Sequence, residues 1–233
     1  MLKIEDLFEN LDAFEHRAIF DGCKDIWEVV SKIKVYLNQF FKGFNKTPII
    51  KGEVGKRVTF VGKEIFIDEG AIVEDGVSIY APCIIGKETV LRQGAYLRGC
   101  VIIGQKCVIG HATEIKNALL MNESKAPHFN YVGDSIIGQR VNLGAGVILA
   151  NFKSGSNNPE IIINDGREEM RTGLRKLGAI LGDDVHIGCN AVLNPGTIVG
   201  KGSVIYPLAS VKGVINPYTI IKYKPFLKEQ PKK

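Results

Sequence analysis

The chain has 233 residues, 45% hydrophobic and 24% charged, with a net charge of +5, a balance that suits one soluble globular domain with a sizeable core. No apolar run approaches the ~20 residues that span a bilayer. No aromatic-interleaved basic motif marks a nucleic-acid reader, and the N-terminus has no secretory signal pattern.

The first predicted element is a helix over Lys24 to Phe41, where Ile26, Val29, Val30, Ile33, Leu37, Phe40 and Phe41 share one face and Gly43 closes the end. Residues 1–48 therefore read as an N-terminal helical extension. It is expected to cover the open end of the domain downstream or to pack against a neighbouring subunit.

A six-residue period then begins. Val61, Ile67, Val73, Ile79, Ile85, Leu91, Leu97, Ile103, Ile109 and Ile115 recur without a break, and four residues after most of them stands a second small or medium group such as Ala71, Val77, Cys83, Ala95 or Cys107. Six is neither the 3.6 of a helix nor the 2 of a long strand; it fits one short strand plus a corner, with three hexads closing one triangular coil. The 26 glycines recur between these apolar pairs and suit tight corners. The fold class is therefore all-β, a parallel β-helix of hexapeptide repeats. Cys83 and Cys107 read as core fillers. With Cys23, Cys100 and Cys189 they make an odd set without CxxC spacing, expected as free thiols in a reducing cytoplasm.

The period resumes at Ile137, Leu143 and Leu149, and again from Leu181 through Ile187, Leu193, Val199 and Ile205 to Val211. These phase slips predict two loop insertions within a β-helical domain at 49–215, one near 117–130 and one near 152–179. The second reads as a hairpin, with an apolar run at Ile161 to Ile163 before an Asn164-Asp165-Gly166 turn. Residues 216–233 read as a basic tail carrying Lys222, Lys224, Lys228, Lys232 and Lys233.

Arg98 and Lys116 are three hexads apart and each follows an inward aliphatic residue, so they should project outward from one column on adjacent rungs. Two cations about 5 Å apart repel unless an anion lies between them, which reads either as two solvated charges or as a phosphate clamp. Just beyond stands His128, whose ordinary pKa near 6.5 suits it to accept a proton near neutral pH.

Between Arg98 and Pro207, Glu114-Ile115-Lys116, Ser124-Lys125-Ala126, His128, Tyr131-Val132-Gly133-Asp134, Val141-Asn142-Leu143-Gly144-Ala145-Gly146 and Asn151 resemble the acetyltransferase domain of the bifunctional glucosamine-1-phosphate acetyltransferase and N-acetylglucosamine-1-phosphate uridylyltransferase. The run from Thr172 to Asp183 is similar to archaeal sugar-phosphate nucleotidylyltransferases carrying this domain. The resemblance implies a left-handed coil and an acetyl-CoA-dependent transfer to an amino-sugar 1-phosphate, glucosamine 1-phosphate foremost, on the way to UDP-N-acetylglucosamine.

It further implies His128 as general base, with Glu114 hydrogen-bonded to it. Arg98, Lys116, Tyr131, Asn142 and Lys176 would hold the sugar phosphate, and Asn151 the amine. Ala145, Phe152, Cys189 and Pro207 would line the acetyl-CoA channel; the family usually has an aromatic hydroxyl, a serine and a small residue where the last three stand. A cytoplasmic homotrimer with no metal requirement is implied. Uridylyltransfer is not expected, since the first fifty residues contain only Gly22 and Gly43 and no glycine-rich phosphate loop. Two rivals are a trimeric scaffold without turnover and a zinc-dependent γ-type carbonic anhydrase. The latter needs three converging histidines, and His111, His128 and His186 do not sit at close ligand spacing in the sequence.

Overall fold

The computed structural model describes residues 3–45, 48–155 and 160–223. Each hexad forms a strand of two to four residues and a corner, and successive coils stack into three parallel sheets of nine, nine and eight strands among the described residues, a left-handed β-helix. Sheet I includes Cys83–Ile85, Val101–Ile103 and Ala118–Leu120; sheet II includes Val90–Leu91, Val108–His111 and Lys125–His128; sheet III includes Tyr96–Arg98, Glu114–Lys116 and Tyr131–Gly133. Inward side chains, such as Ile85, Leu91 and Leu97, fill a continuous core, and strands of sheet I add a second one each, such as Cys83 beside Ile85. Cys83 and Cys107 belong to that core as expected; burial pushes both thiols up, that of Cys107 to about 11.

The corners between sheets I and II place Glu88, Lys106, Glu123, Arg140 and Asp184 in the left-handed region, at φ of 56 to 62°. That conformation costs a non-glycine residue on the order of 1 kcal/mol. It persists because each of these N–H groups donates to a carbonyl of the preceding coil, as Lys106 does to Lys87 at 2.8 Å.

The stretch 117–130 is not a loop insertion. Val101 pairs with Ala118, and Glu114 with Tyr131, so the chain returns to the same face one residue sooner than three full hexads would bring it, with no rung lost. The inward series runs Ile115, Leu120, Ala126, Val132, Ile137. The physical cause is a shorter corner. Gly99 and Cys100 both take positive φ in one coil, whereas Asn117 and Asp134 turn the next two coils as single positive-φ residues. The first coil departs in the opposite sense: Phe60 pairs with Ile79 and points inward, while Val61 is 41% exposed.

The larger insertion contains an antiparallel hairpin of Ile162–Asn164 with Glu169–Arg171, as its turn sequence predicts. At the C-terminal end, Ile220–Ile221 still pairs with Val204–Ile205. The coil therefore runs past the expected boundary at 216. Of the tail lysines, Lys222 is described and packs its ammonium over the Tyr206 ring; Lys224, Lys228, Lys232 and Lys233 lie outside the described residues.

Helix α1 (Ile4–Leu7), two 3-10 turns and helix α2 (Glu28–Lys42) lie along the side of the coil, not over its end. Val29, Val30, Ile33, Leu37 and Phe41 of α2 bury themselves in one apolar cluster with Phe66, Ile84, Ile102, Leu119, Ile136, Ile180 and Ile198, the outward side chains of sheet I. Strands of sheet I are consequently buried on both faces, as Val101–Ile103 and Ala118–Leu120 are throughout. Polar clasps fix this wrap. Glu9 N–H donates to buried Asp183 at 2.8 Å, and the side-chain amides of Gln139 and Asn122 donate to the Glu9 and Ala13 carbonyls at 2.9 and 3.0 Å.

Candidate active site

With sheet I covered by its own chain, the open faces are sheets II and III. The strands of sheet III carry Tyr96 and Arg98, Glu114 and Lys116, and Tyr131 and Gly133 on their outward side, because Leu97, Ile115 and Val132 between them point to the core. Tyr96 lies level with Glu114, and Glu114 with Tyr131, on consecutive rungs.

At the far edge of this sheet an open pocket of about 440 Å³ is lined by Arg98, Lys116, Tyr131, Asn151, Phe152, Arg175 and Lys176. Five of the expected acceptor residues thus meet, although Asn151 and Lys176 are separated by the whole hairpin insertion. The insertion re-enters the coil on the pocket floor, where Leu177 N–H donates to the Asn151 carbonyl at 3.1 Å and Gly178 N–H to the Asp134 carbonyl at 2.8 Å. A Cβ at Gly178 would stand 2.1 Å from the Gly133 carbonyl oxygen, so only glycine admits this approach.

Each cation of the expected clamp already has a carboxylate. Arg98 Nη1 donates to Glu114 Oε1 at 2.6 Å, and Lys116 Nζ to Asp134 Oδ2 at 3.2 Å. Asp134, 4% exposed, also accepts from Asn117 and Asn151 side-chain amides and thereby sets the orientation of Asn151. The Tyr131 phenol is pushed up by burial, then by the nearby Glu114 and Asp134 carboxylates, and stays protonated. Sequence reasoning gives neither Arg175 nor Asp134 a role in the site. Asp134 ends the Tyr131-Val132-Gly133-Asp134 motif, but its partner Asn151 lies a full coil further along the chain.

His128 ends its sheet II strand at the opposite edge of sheet III. The chain turns from it through Phe129 and Asn130 into Tyr131, so it stands on a regular rung and not on a loop. Its side chain is exposed. Glu114 does not hydrogen-bond to it among the described residues; that carboxylate faces Arg98. His128, Ala145, Cys189 and Pro207 form one vertical edge column, since the His128, Ala145 and Cys189 carbonyls accept from Gly146, Asn190 and Leu208 N–H groups of the following coils at 3.1, 2.8 and 3.0 Å. Phe152 is apart from this column, at the far edge, between the cationic pocket and a second pocket of about 370 Å³ lined also by Lys153, Ile161, Ile162 and Lys212. Asn142 lies on the outer side of sheet II, in a pocket with Lys125, Arg140 and His186.

His111 is the directly paired neighbour of His128 on the preceding rung. Their separation in the sequence hides that closeness. The His111 ring hydrogen-bonds the Gln93 carbonyl at 3.1 Å and stands edge-on to Phe129. Among the described residues no group of three or more His, Cys, Asp or Glu side chains could hold a metal ion, and no helix is long and apolar enough to cross a membrane.

The family model of the GMPPB C-terminal domain matches residues 79–206, more than half of the chain. The chain belongs to the GMPPB C-terminal domain family. The matched span contains both the His128 column up to Tyr206 and the pocket with its hairpin insertion. Among curated relatives, a "Bifunctional protein GlmU" of Methanococcus maripaludis is 37% identical over 204 residues, 87% of this chain and 47% of that protein. A "Bifunctional sugar-1-phosphate nucleotidylyltransferase/acetyltransferase" of Sulfurisphaera tokodaii is 41% identical over 98 residues, 42% of this chain and 24% of its own length. The chain thus spans about half or less of the length of these relatives. Among solved structures, Francisella novicida UDP-N-acetylglucosamine acyltransferase aligns over 73% of this chain and 61% of its own, with a TM-score of 0.48 and 16% identity.

Proposed function

We propose that this GMPPB C-terminal domain protein is an acyltransferase that moves the acetyl group of acetyl-CoA to the amine of an amino-sugar 1-phosphate, glucosamine 1-phosphate foremost. The observation that carries the reading is the pocket on sheet III, where cations, a protonated phenol and an oriented amide converge on one open space. Its volume lies in the range of small-molecule sites. A sugar phosphate needs such a set: cations for the phosphate, and neutral donors and acceptors for hydroxyls and amine. The archaeal relatives are sugar-1-phosphate enzymes and GlmU proteins, which supports the same substrate class.

In the transfer, the neutral acceptor amine attacks the thioester carbonyl. The C–N bond forms, the C–S bond breaks, the amine's surplus proton passes to His128, and the sulfur leaves as a thiolate that takes up one proton, from the imidazolium or from water, to become the free thiol of coenzyme A. No covalent intermediate on the protein is required. The His128, Ala145, Cys189 and Pro207 column spans three rung intervals, roughly 14 Å at ~4.8 Å per rung, which suits an extended pantetheine arm laid along the edge.

Base and pocket stand at opposite edges of sheet III, separated by a three-residue strand, roughly 10 Å at ~3.3 Å per residue. Association of coils in a closed cyclic homotrimer would bring the His128 edge of one against the pocket of the next. A cytoplasmic location and a place in UDP-N-acetylglucosamine synthesis follow from the proposed substrates. The decisive assay is thiol release from acetyl-CoA with glucosamine 1-phosphate, galactosamine 1-phosphate and free glucosamine as acceptors. Absence of acceptor-dependent thiol release would leave the scaffold reading. Sedimentation should give a trimer; a fully active monomer at assay concentration would rule out the shared site.

A further inference from the structure

We infer that Arg175, with Lys176 beside it, makes the principal contact with the acceptor's anionic group, and that the pocket selects a phosphomonoester dianion. This rests on the proposed acetyl transfer to a sugar phosphate and names the residue that decides its substrate class.

The argument is one of charge. Four cations, Arg98, Lys116, Arg175 and Lys176, line the pocket. Two carboxylates, Glu114 and Asp134, pair with the first two at 2.6 and 3.2 Å. Arg175 and Lys176 have no ion-pair partner among the described residues, and both are exposed toward the opening. The pocket therefore carries a surplus of two positive charges, supplied by the insertion and not by the repeat. A phosphomonoester at neutral pH carries about −1.5 to −2, which this surplus balances. For Arg98 or Lys116 to take the phosphate as its main partner, it would have to give up or share a bond already made.

The position of Arg175 is built. Leu177 is fully buried, and the N–H groups of Leu177 and Gly178 are bonded to the pocket floor, so the two residues preceding them are delivered to the rim by a fixed backbone. A guanidinium there can bind two phosphate oxygens at once, which an ammonium cannot.

The test is calorimetry on the intact protein with three probes: glucosamine 1-phosphate, inorganic phosphate and free glucosamine. Arg175→Ala should raise the dissociation constant of both phosphate-bearing probes by roughly ten- to a hundredfold and leave free glucosamine unchanged; Arg175→Lys should recover part of the loss. Undiminished phosphate affinity in Arg175→Ala, an equal loss on free glucosamine, or no phosphate binding by the unaltered protein would each overturn the inference. Arg175-dependent phosphate binding without thiol release from acetyl-CoA would uphold it while removing the acetyltransferase reading.

Discussion

Arg98 donates to Glu114 across two adjacent rungs of sheet III, at 2.6 Å between Nη1 and Oε1, which pairs the carboxylate with that guanidinium and not with His128. The guanidinium is held firmly charged by this bond and by the carboxylate's charge. Glu114→Gln should therefore change acceptor KM and leave the acidic limb of the kcat/KM pH profile, where a general base gains its proton, within a few tenths of a unit. A clear acid shift of that limb, the sign of a lost carboxylate beside an imidazolium, would assign Glu114 to His128 instead.

His128→Ala should lower kcat by roughly 10²- to 10⁴-fold with little change in acceptor binding, the range for loss of a general base. The side chain is exposed on a regular strand end, so the thermal midpoint should stay put. Near-normal turnover would return the residue to a surface role.

Gly133 lies against the pocket's polar floor. A Cβ there would come within 2.7 Å of both Asn151 Nδ2 and the Tyr131 hydroxyl, displacing the two groups proposed to orient the acceptor. Gly133→Ala should raise acceptor KM by about tenfold or more while acetyl-CoA affinity holds, since misplacement of about 1 Å carries costs of that order. Unchanged acceptor kinetics would mean that neither side chain contacts the sugar.

His16, buried under α2, shares a 3.0 Å hydrogen bond with the Tyr36 hydroxyl. Desolvation, partly opposed by Asp68, lowers its pKa from 6.5 to about 4. Between those values the unfolded chain binds the extra proton and the folded chain does not. Stability is thus complete above pH 6.5 and declines as the pH falls toward 4, by about 3 kcal/mol in all; below 4 both states are protonated and this loss stops. His16→Gln should flatten the dependence of urea midpoint on pH across that window. A slope equal to that of the unaltered protein would place the acid sensitivity elsewhere.

Much of the architecture was written in the chain because its unit is local. A hexad is one strand and one corner, so the recurrence of Ile103, Ile109 and Ile115 specified the coil without reference to distant residues, and Asn164-Asp165-Gly166 specified its own turn. The three-hexad stacking rule likewise set Arg98 and Lys116 on one column. What it could not supply was the partner of each charge, because Glu114 and Asp134 reach those cations from the following rungs.

Three matters waited for the tertiary structure. The gap from Ile115 to Ile137 has the same length whether four residues bulge out or two corners shorten, and only the pairing of Glu114 with Tyr131 distinguishes them. The amphipathic face of α2 shows that the helix must be covered, yet its partner, the outer row of sheet I from Phe66 to Ile198, is dispersed over more than half the chain. Arg175 and Lys176 read alone are ordinary surface charges on a long insertion. They became part of a site only when Leu177 and Gly178 docked on the floor that Asn151 and Asp134 had formed, for a periodic signal reports which way a residue points from its own rung, whereas a pocket is made by the meeting of chains that share no period.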